Sequence, residues 1–223
     1  MSPRARMLAG FIAANTIIAI VAVLVLLNRP AAPPLIQGVL LPDGRELAEF
    51  SLLDHHNRSF TNSDLSGRWH LVSYGFTTCP DICPTTLSQL SVVAAALEQQ
   101  GAGDDLRVLF YTVDHRRDTV GQMASYVPFF HPDFVGLTHV DEAENPHLPF
   151  EQSLGIVAQL VPVANADPAL NEYQVNHGVT LFLINPDGKL QAIFEPDRSA
   201  AGVHSFDPDK VLRDYLAIRG YLG

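Results

Sequence analysis

Ser73-Tyr74-Gly75-Phe76-Thr77-Thr78-Cys79-Pro80-Asp81-Ile82-Cys83-Pro84 decides how the chain is read. It holds both cysteines of the protein. The apolar run Leu71 to Phe76 has the character of a strand, and Thr-Thr-Cys-Pro-Asp is a turn. Pro84 sits where proline suits the first turn of a helix, which the spacing predicts over about Thr85 to Gln100. Both thiols then lie between the carboxyl end of a strand and the amino end of a helix, where backbone N–H groups and the helix dipole favour thiolate over thiol. Such sulfurs are reactive or bind metal. They could also close a disulfide, but a bridge across so short a loop removes little chain entropy, so stability alone explains the pair poorly.

Downstream, Leu87, Leu90, Val93, Ala94 and Leu97 recur at intervals of three and four, the signature of a helix with one face on a sheet. Leu106 to Val113 is a near-continuous β-prone run, as expected of a strand covered on both sides, and strand, helix, strand makes a right-handed βαβ unit. The loop Asp114-His115-Arg116-Arg117-Asp118-Thr119 follows on the same sheet edge as the cysteines, where open α/β sheets bind ligands. Asp114, nearest the thiols, and Asp81, between them, are candidates to support the site. Asp118 or Thr119 reads as a helix cap before a helix from Gln122 to Phe130. Phe134 to Thr138 reads as a short strand, His147 to Gly155 as helical, Ala164 to Ala169 as an exposed loop, and Pro208 to Arg219 as a closing helix. Tyr173 to Ile184 and Lys189 to Phe194, joined by Asn185-Pro186-Asp187-Gly188, form a predicted hairpin. A second hairpin is expected within Leu35 to Phe60, broken by Pro42-Asp43-Gly44 and by Asp54-His55-His56-Asn57-Arg58, whose paired histidines read as solvated turn residues.

At the other end, Leu8 to Leu27 carries no charge and is long enough to cross a bilayer as a helix. Arg4 and Arg6 precede it, so the positive-inside rule puts residues 1–7 in the cytoplasm and the chain beyond the span outside. A cleaved signal peptide is the alternative. The apolar run exceeds the usual signal length and no small-x-small site follows it, which favours a retained anchor. No cysteine lies near its end, excluding a lipoprotein anchor. Residues 28–35 are a proline-rich spacer, and residues 36–223 make one domain. All 24 acidic residues of the 223-residue chain, and all basic ones but Arg4, Arg6 and Arg29, lie after residue 29, giving that part a formal charge of −13. Nucleic acid is therefore excluded as a partner. Two cysteines in an oxidising compartment need an external thiol reductant to stay reduced.

The run from Phe76 to Leu87, then Val113 to Thr119, Gly136-Leu137-Thr138, Tyr173-Gln174-Val175-Asn176-His177 and Pro186-Asp187-Gly188, resembles the Sco/SenC family of copper-binding proteins over about residues 36 to 215. The resemblance implies an α/β thioredoxin-like fold with an N-terminal β-hairpin extension and a single N-terminal transmembrane helix. It implies copper, as Cu(I) or also Cu(II), held by Cys79, Cys83 and His177, and a role in assembling the binuclear copper site of cytochrome c oxidase. By spacing alone His177 would be an ordinary histidine. The implied setting is a bacterial inner membrane with the domain in the periplasm. The implied partners are the oxidase subunit that carries the copper site, a periplasmic thiol reductant and another copper chaperone. Some family members are credited with thiol–disulfide chemistry, so the alternative is an oxidoreductase in which Cys79 and Cys83 form a redox-active disulfide. A thiol peroxidase fits less well, since Val72 and Phe76 stand where that motif wants proline and threonine. Two residues depart from the family pattern: His115 for proline, which could add a ligand, and Asn176 for the aspartate beside the ligand histidine.

Overall fold

A computed structural model describes residues 2–27, 32–140, 144–162, 173–198 and 204–222, and the chain divides into two compact units, Met1–Pro33 and Pro34–Gly223. The first unit is one helix, α1 (Pro3–Leu27). Its span Pro3–Leu26 has a mean hydropathy of 2.5, long and apolar enough to cross a membrane.

The second unit begins with β1 (Gly38–Arg45), β2 (Ser51–Asp54), β3 (Ser59–Thr61) and β4 (Trp69–Gly75). Then come α2 (Ile82–Gln99), β5 (Leu106–Thr112), α3 (Val120–Tyr126), β6 (Val135–Thr138) and α4 (Leu148–Leu154). Strands β7 (Ala158–Pro162), β8 (Tyr173–His177), β9 (Leu181–Ile184) and β10 (Leu190–Phe194) follow, and helix α5 (Pro208–Leu222) closes the chain. One eight-stranded sheet runs in the order β1-β10-β9-β4-β5-β6-β2-β3. Its centre, β4-β5-β6, is parallel, with Gly75 level with Thr112, and the remaining pairs are antiparallel. Every residue of β4 is buried, which explains why the sequence there lacks the polar–apolar alternation of a half-exposed strand. One core layer packs α2, α3 and α5 on the sheet through Leu87, Leu90, Met123, Val211 and Tyr215. The other face is covered by α4 and the N-terminal strands through Phe150, Leu154, Phe50 and Phe60.

Three expectations need correction. The N-terminal hairpin is β2–β3, turned by Asp54–Arg58, where Asp54 Oδ1 accepts from the backbone N–H groups of His56 and Arg58 at 2.9 Å each. Pro42-Asp43-Gly44 is a register break inside β1, whose partner is β10; a proline that cannot donate is accommodated on that outer strand. The C-terminal hairpin is β9–β10, and Tyr173 to His177 is not part of it. Those five residues pair with β7 as a separate two-stranded arm, and the chain re-enters the main sheet only at Leu181. β-prone residues on both sides, Tyr173 and Val175 before and Val179 to Ile184 after, hid the break at Gly178-Val179-Thr180. Helix α2 also starts earlier than expected, at Ile82, so Cys83 lies in its first turn and Pro84 directly after, where a missing N–H costs no helical hydrogen bond. The expected loop Ala164 to Ala169 lies outside the described residues.

Candidate metal centre

Strand β4 delivers the chain to Phe76, whose carbonyl accepts the N–H of Cys79 at 3.2 Å, closing a turn that sets the first sulfur just ahead of α2. Cys79 is half-buried and Cys83 buried; both are free thiols. The Cys83 thiol donates to the Cys79 sulfur, which also faces the backbone N–H groups of Asp81, Cys83 and Ile82 at the start of α2. Together they pull the Cys79 thiol down to about 5. Donation to Cys79, and then burial, push Cys83 the other way. The pair is thus one half-buried thiolate backed by one buried thiol. Gly75 is a packing necessity, since a Cβ there would drive into Cys83 Sγ.

The arm brings in the imidazole. His177 ends β8, with Nε2 3.9 Å from Cys83 Sγ across 94 residues of sequence. Its Nδ1 lies 2.7 Å from the Gly178 carbonyl oxygen. A carbonyl only accepts, so Nδ1 carries a proton, and in the neutral tautomer this selects, Nε2 turns its lone pair toward the sulfur. Tyr74 and Phe76 flank the ring, each with its centroid 5.6 Å away. Gly178 lets the backbone pass Tyr74, whose hydroxyl a Cβ would meet at 2.7 Å. Two sulfurs and a neutral imidazole make a soft donor set suited to Cu(I), with the nitrogen extending it to Cu(II).

The contacts of the Asp114 carboxylate are with Arg117 and Tyr173. It is buried, accepts from Arg117 Nε and the Tyr173 hydroxyl, and so ties the loop after β5 to the first residue of β8. Arg117 reinforces the tie, its guanidinium 4.2 Å above the Tyr173 ring and its Nη1 3.3 Å from the Tyr173 carbonyl. Asp81 serves through its backbone N–H, and its exposed side chain does not cap α2. The carboxylate beneath the cysteine turn is Asp118, which the sequence reading took for a cap; Thr119 is the cap, accepting from Gln122 N. Asp118 is fully buried and accepts Thr77 N (2.8 Å), Thr77 Oγ1 (2.6 Å) and Thr112 Oγ1 (2.6 Å). The clue was chemical: two threonines, one at each of two adjacent strand ends, need a shared acceptor once buried. Asn176 is exposed, one residue from His177 and so on the opposite face of the strand. His115 packs against His139, ring centroids 4.0 Å apart.

A thioredoxin-like domain with a thiolate–thiol pair at the start of a helix and an imidazole delivered by a separate arm defines a class of thiol-based metal or redox proteins. The SCO1/SenC family description matches residues 41–205, and the chain belongs to that family. It is 36% identical over 177 residues to the mitochondrial SCO2 homolog of Bos taurus, covering 78% of this chain and 61% of that one. It is 30% identical over 161 residues to a SCO2-like protein of Rickettsia felis, covering 71% and 73%. The crystal structure of Arabidopsis thaliana ScoI with copper bound superimposes with a TM-score of 0.62 at 29% identity, over 78% of this chain and 99% of that one.

Proposed function

We propose that this protein is a copper chaperone, tethered to a membrane by α1, that carries copper on Cys79, Cys83 and His177 and passes it to the binuclear copper site of cytochrome c oxidase. The observation that carries the reading is the approach of His177 Nε2, lone pair foremost, to within 3.9 Å of Cys83 Sγ from a distant part of the chain. Cu(I) takes the place of the Cys83 proton, so loading requires both sulfurs reduced and releases a proton. Family membership and the copper-bound relative support the same assignment. Arg4 and Arg6 favour a cytoplasmic N-terminus and a periplasmic domain, and a periplasmic reductant keeps the pair open. Another copper chaperone is the natural source of the metal.

The thiol asymmetry favours a second reading, an oxidoreductase acting on the oxidase subunit's cysteines. The Cys79 thiolate would attack a partner disulfide, releasing one partner thiolate and leaving a mixed disulfide. Cys83 would then lose its proton and displace the second partner sulfur, closing Cys79–Cys83. Both partner cysteines end reduced, and the external reductant reopens the pair.

Anaerobic Cu(I) titration of the reduced full-length protein in detergent separates the two. One equivalent of Cu(I), held at least about 10-fold more weakly by His177→Ala, with negligible insulin reduction, is the expected result. Rapid insulin reduction with copper binding indifferent to His177→Ala would overturn it in favour of the second reading.

A further inference from the structure

Strands β4, β5 and β6 lie side by side, about 4.8 Å apart, and each sends its next segment over the same sheet edge. The first carries Cys79. The other two carry histidines: His115 follows β5, His139 follows β6, and His147 stands just before α4. The His139 and His147 rings lie 3.5 Å apart at 10°, and His115 sits 4.0 Å from His139 and 6.4 Å from His147, all between centroids. His139 and His147 are buried and His115 partly so. Three imidazoles from three separate backbone segments thus converge, and they share no residue with the thiol centre.

We propose that His115, His139 and His147 form a second metal site, an all-imidazole site for a divalent ion of borderline softness, the class of Cu(II) and Zn(II). Imidazole nitrogen is a common donor to that class and, unlike thiolate, neither reduces Cu(II) nor is lost when the cysteines oxidise. The surroundings prepare a ligand tautomer. Tyr111 donates its one hydroxyl proton to Glu151 Oε1 at 2.6 Å, so toward His139 Nδ1, 3.4 Å away, its oxygen accepts. Nδ1 then carries the ring proton and Nε2 the lone pair. A carboxylate acting through Tyr111 on the far nitrogen is the arrangement that orients metal-binding histidines. The scale also suits an ion. With metal–nitrogen bonds of about 2.1 Å, imidazole centroids around one ion stand about 4.5 to 5 Å apart, within the range of separations these rings already have. Ligation requires the stacked His139 and His147 rings to turn about their side-chain torsions so that their in-plane lone pairs meet. The group Glu98, His131 and Asp133 makes a useful contrast. There His131 Nδ1 accepts the Asp133 N–H at 3.3 Å, so the ring is neutral and its Nε2–H is directed at Glu98 Oε1, 3.2 Å away, leaving both nitrogens in hydrogen bonds.

The test uses the full-length protein in detergent with Cys79→Ser, Cys83→Ser and His177→Ala, which removes the thiol centre. Cu(II) titration followed by electron paramagnetic resonance is expected to show one bound equivalent with nitrogen superhyperfine structure from imidazole. Adding His115→Ala, at a partly exposed position, should weaken it at least about 10-fold without changing far-UV circular dichroism or the melting temperature of the apo form. Adding His56→Ala should leave it unaltered. Failure of the triple variant to take up Cu(II), retention of full affinity by the His115→Ala form, or loss of the ion with His56→Ala would each overturn the proposal. Because the thiol centre is absent from this background, the outcome is independent of whether Cys79, Cys83 and His177 carry copper.

Discussion

Replacing Asp118 probes how the buried interior governs the metal centre. The carboxylate gathers three donors, of which Thr77 N and Thr77 Oγ1 belong to the turn that ends in Cys79. A hydrogen bond to a buried charged group contributes about 1.5–3 kcal/mol, and an orphaned buried donor costs about as much. Asn keeps one carbonyl oxygen for Thr77 N–H but places an NH₂ against Thr77 Oγ1, which already accepts from Gln122 Nε2 at 3.2 Å. Asp118→Asn should therefore destabilise the apo protein by about 2 kcal/mol and Asp118→Ala by about 4 kcal/mol. For a unit of this size the Asn variant should melt about 4–8 °C lower. Thr119→Ala is the control: it removes only the cap on α3, costs about 1 kcal/mol, and leaves the cysteine turn intact. Thermal melts and competition for Cu(I) against a chromophoric chelator measure both consequences. The Asn variant should lose copper affinity and the Thr119 variant should keep it. A melting point within about 1 °C of wild type for Asp118→Asn, or unaltered Cu(I) affinity despite the lost stability, would refute the reasoning.

Two further predictions concern pH. Because Cys79 ionises at about 5 and Cys83 is pushed up, iodoacetamide should label Cys79 first, at a rate that rises through about pH 5 and is level by pH 7; peptide mass mapping showing equal labelling, or a rate still climbing toward pH 9, would contradict the assignment of the thiolate. His70 is fully buried, and burial, then Arg107 and Arg68, hold it down to about 4. Below its ordinary 6.5 the unfolded chain takes a proton that the folded chain refuses, so stability is full above pH 6.5 and falls toward pH 4 by about 3 kcal/mol. Urea midpoints for His70→Asn should show a flatter acid limb than wild type, and an unchanged slope would dismiss the effect.

The fold was legible wherever burial on both faces leaves a β-prone strand without polar–apolar alternation or a helix repeats at three and four, as in β4, α2 and β5. The sulfurs were legible because strand end, turn and proline bracket them. His177 was not, because its approach depends on an arm whose first strand, β7, is exposed along its whole length and carries no amphipathic pattern. Only the family resemblance pointed to it. Asp114 and Asp118 occupy similar places in the charged loop after β5, and their roles depend on which donors turn toward them: Arg117 and Tyr173 for one, Thr77 and Thr112 for the other. Sequence spacing does not encode that choice. The three clustered histidines were equally hidden, since only the neighbouring placement of β5 and β6 brings His115 and His139 together.

The β7–β8 arm satisfies its ladder entirely within itself, and its last residue is His177. Swinging it aside breaks no backbone bond of the eight-stranded sheet; among the described residues it gives up the Asp114–Arg117–Tyr173 anchorage, the ring contacts of His177 with Tyr74 and Phe76, and the packing of Val175 on the core. The imidazole can therefore depart while both sulfurs stay seated on the rigid helix start. Under the proposed function, transfer is then a stepwise exchange that opens at the nitrogen side, leaving a recipient's donor atom a vacated flank from which to enter.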